Sequence, residues 1–375
     1  MMERILDPLV VQRRREANVS FVAGFAIMVA LFAVLPFVAY PVFLMQVLCF
    51  ALFACAFNLL IGYVGLVSFG HALYFGWAGY LSAYAASTEE VLVLAKPLEA
   101  AGAVYTTHMR TETDGILDAM REAFEIGRLS HVPVIVSHLK CAGIANWGRS
   151  GEVLHALEIA RTSQPAGCDC YPYAAGSSTL DLRQVDERVP ITITWSTPHP
   201  EVAGQSLAQI AEHWQISQLK AAQQLQPAGA IYHSISEEDM RRILSHSATM
   251  IGSDGLPNDP RPHPRLWGTF PRVLGRYSRD EGLFSLPEAV HKMTGLPAQR
   301  FGLARRGLIR KDYYADLVLF DPETIIDTAT FSDPIRPAEG IAAVWVNGVL
   351  SYTTEGATGN RGGRFLPRGG SSWIQ

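Results

Sequence analysis

The sequence predicts an α/β protein: an incomplete (β/α)8 barrel of the TIM type, preceded by two or three transmembrane helices. Charge is the first of three observations behind this. Of 31 basic and 35 acidic residues, seven lie in the first nineteen positions, none in residues 20–87, and the rest beyond. Second, residues 102–110 and 132–140 each read as a strand running into a histidine, His108 and His138. Between them Ile116, Met120, Ala123 and Phe124 recur at helical spacing. A strand, helix, strand unit of this kind puts both histidines on one edge of a parallel sheet, where neighbouring strand ends point their last side chains into one mouth. Third, a later strand-like run, 249–252, leads into Asp254. Two imidazoles and a carboxylate on one sheet edge are candidates for a metal site.

The composition narrows the function classes. With 375 residues and a net charge of −4 there is no basic balance to attract nucleic acid. The uneven charge sets off a cytoplasmic N-terminal segment (1–19) and an apolar block (20–87) from the remainder, which is expected to comprise a partial barrel (88–305) and a C-terminal part (306–375). Five cysteines, Cys49, Cys55, Cys141, Cys168 and Cys170, give no disulfide framework. Cys168-Asp169-Cys170 is too tight for a usual zinc pair, and strand alternation points both thiols to one face, so buried thiols in a reducing compartment are expected.

Within the apolar block, 21–40 and 41–63 each have the length that crosses a bilayer as a helix, and 66–86 is a third run with Gly70, Gly76 and Gly79. The block is too long and too repeated for a signal peptide. Arg4 and Arg13-Arg14-Arg15 before it predict a cytoplasmic N terminus, hence a multi-pass inner-membrane protein whose remaining part is cytoplasmic. The run Asn58-Leu59-Leu60-Ile61-Gly62-Tyr63-Val64-Gly65-Leu66-Val67-Ser68-Phe69-Gly70-His71-Ala72 resembles the N-terminal part of the permease subunits of branched-chain amino-acid ABC transporters, over about residues 18–87. That resemblance implies a lipid bilayer and ABC transporter subunits as partners. No further run of spanning length follows, so a membrane anchor or relic is expected rather than a transport pathway.

Beyond Ser87, Thr88-Glu89-Glu90 begins a helix that runs to Ala101 and leads into the first strand. After His138-Leu139-Lys140 come a loop at 146–150, a helix from Glu152 to Ala160 and a strand at 167–173. Residues 191–195 form a short β-branched run in an inserted excursion, and 230–234 and 249–252 read as two more barrel strands, five in all. Asn347-Gly348 is a good two-residue hairpin turn, because both positions must tolerate positive φ.

Residues 250–268, MIGSDGLPNDPRPHPRLWG, together with 105–110, 136–140 and 169–173, resemble the N-acyl-D-amino-acid deacylases (D-aminoacylases) of the amidohydrolase superfamily, from about residue 87 to the C terminus. The resemblance implies a metal-dependent barrel beside a small β-sandwich, to which 315–321 and 344–350 contribute strands. It implies hydrolysis of N-acyl-D-amino acids to a D-amino acid and a carboxylate, with zinc as cofactor. His108 and His138 would be metal ligands, Asp254 the general base, and Arg265, Lys140, Tyr171 and Ser177 substrate contacts. An arginine suits a substrate carboxylate because its guanidinium offers a fork of donors. Family members also carry a His-x-His pair and a ligating cysteine in a segment that this chain replaces with apolar sequence. No His-x-His occurs anywhere here, so the zinc site is expected to be incomplete and the hydrolase N-terminally truncated. The competing expectations are a membrane component of a branched-chain amino-acid transporter and a non-functional gene-fusion product.

Overall fold

The computed structural model describes residues 87–257 and 259–366. Ser87 caps the first helix, α1 (Thr88–Ala95), through a reciprocal capping box with Glu90. Where the sequence predicts one helix to residue 101, Pro97 has no N–H to give and starts a separate turn, α2 (Pro97–Ala100). Strand β1 (Tyr105–Thr107), helix α3 (Ile116–Leu129) and strand β2 (Val134–Val136) follow as the predicted unit. Helix α3 buries Ile116, Met120, Ala123 and Phe124, the predicted stripe, with Ala119, Ile126 and Gly127 added. It crosses so close to β2 that a Cβ on Gly127 would lie 2.0 Å from Val134 Cγ2. Helix α4 (Ser150–Arg161) then leads to β3 (Ala166–Cys170).

The next elements leave the barrel. Strands β4 (Gly176–Thr179), β5 (Ile191–Ser196) and β6 (Ala228–Tyr232) form their own antiparallel sheet with β6 in the middle, and helices α5 (Leu207–Trp214) and α6 (Gln218–Leu225) pack into the same cluster. The predicted barrel strand at 230–234 is therefore corrected: it is the centre of this inserted sheet. Its apolar run fits either setting, and the sequence carried no sign of its partners. Gly229 shows how tightly the insert is built, since a Cβ there would lie 2.2 Å from the Trp195 indole nitrogen.

After helix α7 (Glu237–Ser245), strand β7 (Thr249–Ile251) returns to the first sheet and pairs with β3 in parallel. The order is β1-β2-β3-β7, so four barrel strands rather than five stand among the described residues. Val134, Ile135 and Val136 are fully buried, as befits a parallel strand covered on both faces. Helices α8 (Arg265–Arg272), α9 (Leu286–Met293) and α10 (Gly295–Arg300) complete this part. A separate antiparallel sheet of β8 (Leu317–Phe320), β9 (Ile341–Val346), β10 (Val349–Thr353) and β11 (Gly356–Ala357) closes the described chain. Asn347 and Gly348 turn β9 into β10 with φ of 50° and 80°, the hairpin read from sequence.

The membrane expectation is corrected. No helix among the described residues is long and apolar enough to cross a membrane. Residues 20–86, on which the two or three spans were predicted, lie outside the described residues. What stands is an α/β fold with an incomplete barrel-like sheet and a C-terminal β-sheet.

Candidate active site

The four parallel strands end on one edge, and the predicted site residues follow those ends: His108 after β1, His138 and Lys140 after β2, Tyr171 after β3 and Asp254 after β7. Arg265 opens α8, and Ser177 lies in β4. His138 and Asp254 both adopt left-handed backbone conformations, φ 40° and 46°, which non-glycine residues enter only at a cost of about 1 kcal/mol or more. Both lie where a strand must stop and turn its side chain into the mouth.

His108 Nδ1 lies 2.8 Å from His138 Nε2. On its other side, His138 Nδ1 lies 2.8 Å from Glu112 Oε1, and Lys140 Nζ donates to that same oxygen at 2.6 Å. His108, Glu112 and His138 offer ligand atoms that all fall within 4.8 Å of one another, which makes them a cluster able to hold part of a metal site. Burial by itself would raise the Glu112 carboxyl, but Lys140 and then His138 outweigh it and hold it well below the ordinary carboxylate range. Burial likewise works against the Lys140 ammonium, but Glu112, with Tyr171 and Asp254 behind it, outweighs burial and raises its basicity.

Asp169 fixes the backbone beneath this cluster by accepting from the His138 N–H at 2.9 Å. The fit is close, because a Cβ on Gly252 of the neighbouring strand would lie 2.6 Å from Asp169 Oδ1. Cys168 and Cys170, one residue to either side, are buried in the core as expected for two thiols on one strand face. Burial pushes the Cys141 and Cys168 thiols up to about 12, and both belong to that core cluster.

A second group of residues faces Asp254. Arg265, only 2% exposed, places Nη2 2.8 Å from Asp254 Oδ2 and lays its guanidinium 4.5 Å from the centre of the Tyr171 ring. Its Nη2 also reaches the Ser177 carbonyl at 3.4 Å, so the contact at Ser177 is through the backbone. Arg265 Nε and Nη1 and the Tyr171 hydroxyl are buried without a hydrogen-bond partner among the described residues. Burial pushes the Tyr171 phenol up to about 12, which keeps it a donor at neutral pH. His263 supports the arginine: its Nδ1 accepts from the Arg265 N–H at 3.0 Å while its Nε2 donates to the Ala175 carbonyl at 3.0 Å. That pair of bonds fixes a neutral ring, and burial lowers its basicity further.

Sequence reasoning missed Glu112 and Asp169. Each had a signal: Glu112 stands four residues after His108, and Asp169 is an acid between two buried cysteines in a strand.

A model of the Amidohydrolase family matches residues 107–352. The chain is 50% identical over 291 residues to D-aminoacylase of Alcaligenes xylosoxydans xylosoxydans, a match covering 78% of this chain and 60% of the relative. It is 46% identical over 298 residues to N-acyl-D-aspartate deacylase of the same organism, covering 79% and 60%. Among solved structures, D-aminoacylase superposes with a TM-score of 0.74 at 52% identity, covering 75% of this chain and 60% of that one. N-acyl-D-glutamate deacylase of Bordetella bronchiseptica, complexed with zinc and a phosphonate inhibitor, gives 0.72 at 44% identity, covering 75% and 59%. The chain thus spans about 60% of the length of the curated relatives it matches. These relatives are hydrolases, and with no spanning helix among the described residues, the permease resemblance and the bilayer, transporter-subunit and inner-membrane expectations built on it are withdrawn. The match across residues 107–352, over the strands that carry His108, His138 and Asp254, means that the chain belongs to the amidohydrolase family.

Proposed function

We propose that this chain hydrolyses the amide C–N bond of N-acyl-D-amino acids, releasing a D-amino acid and a carboxylate, with zinc as its cofactor. The observation that carries the reading is the convergence of His108 Nδ1 and His138 Nε2 at 2.8 Å on the sheet edge that also bears Asp254, in a chain 50% identical to a D-aminoacylase. Two imidazole nitrogens beside a carboxylate are donors that zinc accepts, and they fit part of a site, since catalytic zinc usually keeps three protein ligands. On this reading His108 and His138 hold the ion. When bound, zinc supplies Lewis acidity, polarising an amide carbonyl and acidifying water.

The remaining roles belong to the chain. Asp254 takes a proton from the attacking water and passes it to the leaving nitrogen, work that suits a carboxylate held at a strand end. Arg265 Nε and Nη1 and the Tyr171 hydroxyl are donors with no bond of their own among the described residues, and a substrate carboxylate is the acceptor that would satisfy them. Lys140 and Ser177 complete the substrate side. The partial barrel at 88–305 carries this chemistry, and 306–375 is a C-terminal part whose described residues form a separate sheet. The test is direct: supply the full chain with zinc and N-acyl-D-methionine and assay for D-methionine, with the L enantiomer and Asp254→Asn as controls. Release from the D substrate alone, abolished in the variant, is the expected result. No D-methionine from a zinc-loaded, folded chain would overturn the reading.

A further inference from the structure

The ring contacts of His138 assign a role to a residue outside the predicted set. We propose that Glu112 is a positioning residue that decides which nitrogen of His138 carries the proton, and so whether that ring presents a lone pair to a metal. The metal consequence rests on the zinc reading above; the tautomer does not.

A neutral imidazole has one N–H and one lone pair. His138 Nε2 faces His108 Nδ1 at 2.8 Å, and Nδ1 faces two groups with opposite demands: Glu112 Oε1 at 2.8 Å and Lys140 Nζ at 2.9 Å. A carboxylate only accepts, so it calls for a proton on Nδ1. An ammonium only donates, so it calls for a lone pair there. Lys140 has other acceptors, since Nζ donates to Glu112 Oε1 at 2.6 Å and to the His138 carbonyl at 3.0 Å. Glu112 and His138 have no such freedom. With the proton on Nε2 they would be two acceptors 2.8 Å apart with nothing between them. The proton therefore belongs on Nδ1, donated to Glu112, and Nε2 turns its lone pair toward His108.

The same geometry separates Glu112 from the ligands. The two nitrogens of one imidazole point in divergent directions, and Glu112 holds the one turned away from His108. Of the three residues spaced for a metal, two are ligands and the third orients, as carboxylates behind metal-bound histidines do elsewhere. Glu112 also neutralises Lys140, so removing it leaves an ammonium as the only polar group described beside Nδ1.

Two measurements on the full chain test this. Without metal, a long-range 1H–15N correlation spectrum of the imidazoles reads the His138 tautomer: Nδ1–H in the native chain and Nε2–H in Glu112→Ala. Chelator competition reads zinc affinity, which should fall about 10- to 100-fold in Glu112→Ala. Glu112→Gln, whose amide oxygen still accepts, should recover part of it. If Glu112→Ala fails to fold, Glu112→Ala with Lys140→Met removes both charges, and its ring should lose the native bias toward Nδ1–H. An unchanged tautomer in Glu112→Ala or in the double variant, or a native chain already Nε2–H, overturns the proposal. The predicted tautomer change in Glu112→Ala, with a native chain that binds no zinc, sinks the zinc reading and leaves this one standing.

Discussion

The two halves of the site differ in how far their polar groups are already matched. Around His138, Glu112 pairs with the ring and with Lys140, and Asp169 holds the His138 N–H. Around Arg265, one nitrogen pairs with Asp254, while Nε and Nη1 and the Tyr171 hydroxyl have no partner among the described residues. Unmatched buried donors each cost about 1–3 kcal/mol, so a fold keeps them where something else satisfies them. On the proposed reading, the first half would hold an ion and the second would receive an acceptor from the substrate.

That difference predicts a graded set of effects. The largest comes from the matched half: His138→Ala removes one of two converging nitrogens and should abolish stoichiometric zinc binding, read by metal analysis after dialysis. Next is Arg265→Ala, which strips a buried partner from Asp254 and the donors from the substrate. It should lower kcat/KM by about 2–5 kcal/mol of transition-state stabilisation. A substrate in which the free carboxylate is replaced by an amide separates the two effects, because it should lose much less. Equal losses for acid and amide would show that Arg265 acts only through Asp254.

A smaller effect is expected beneath the site. Gly252→Ala pushes a methyl against Asp169 and should cost about 1–3 kcal/mol in urea unfolding, with zinc affinity weakened through the His138 backbone. Unchanged stability and affinity would mean that Asp169 gives way freely. The smallest lies in the C-terminal hairpin. Asn347→Ala removes a donor to the Gly362 carbonyl and should cost about 1 kcal/mol, seen as a modest fall in Tm with zinc affinity intact.

The sequence made parts of this legible for physical reasons. Strand β2 and helix α3 could be read because a parallel strand covered on both faces is apolar throughout and a helix repeats every three to four residues. Asn347-Gly348 could be read because few residue pairs accept two positive φ angles. Strand β6 could not, since Ala228–Tyr232 looks the same whether its neighbours run parallel or antiparallel. At the site, His108, His138 and Asp254 were visible as polar residues ending apolar runs. Glu112 was not, because its meaning comes from Lys140 and His138, brought to it by the fold across 28 and 26 positions. The apolar block was the loudest signal in the sequence, and it led to membrane and transporter expectations that the hydrolase comparisons and the described helices do not sustain.

Zinc K-edge X-ray absorption of the zinc-loaded full chain bears most directly on the claim that His108 and His138 share one ion. The predicted spectrum carries outer-shell imidazole scattering from about two histidines at Zn–N distances of about 2.0–2.1 Å, lost when both are replaced by alanine. A spectrum without imidazole scattering, or one unaltered by the double replacement, would contradict it.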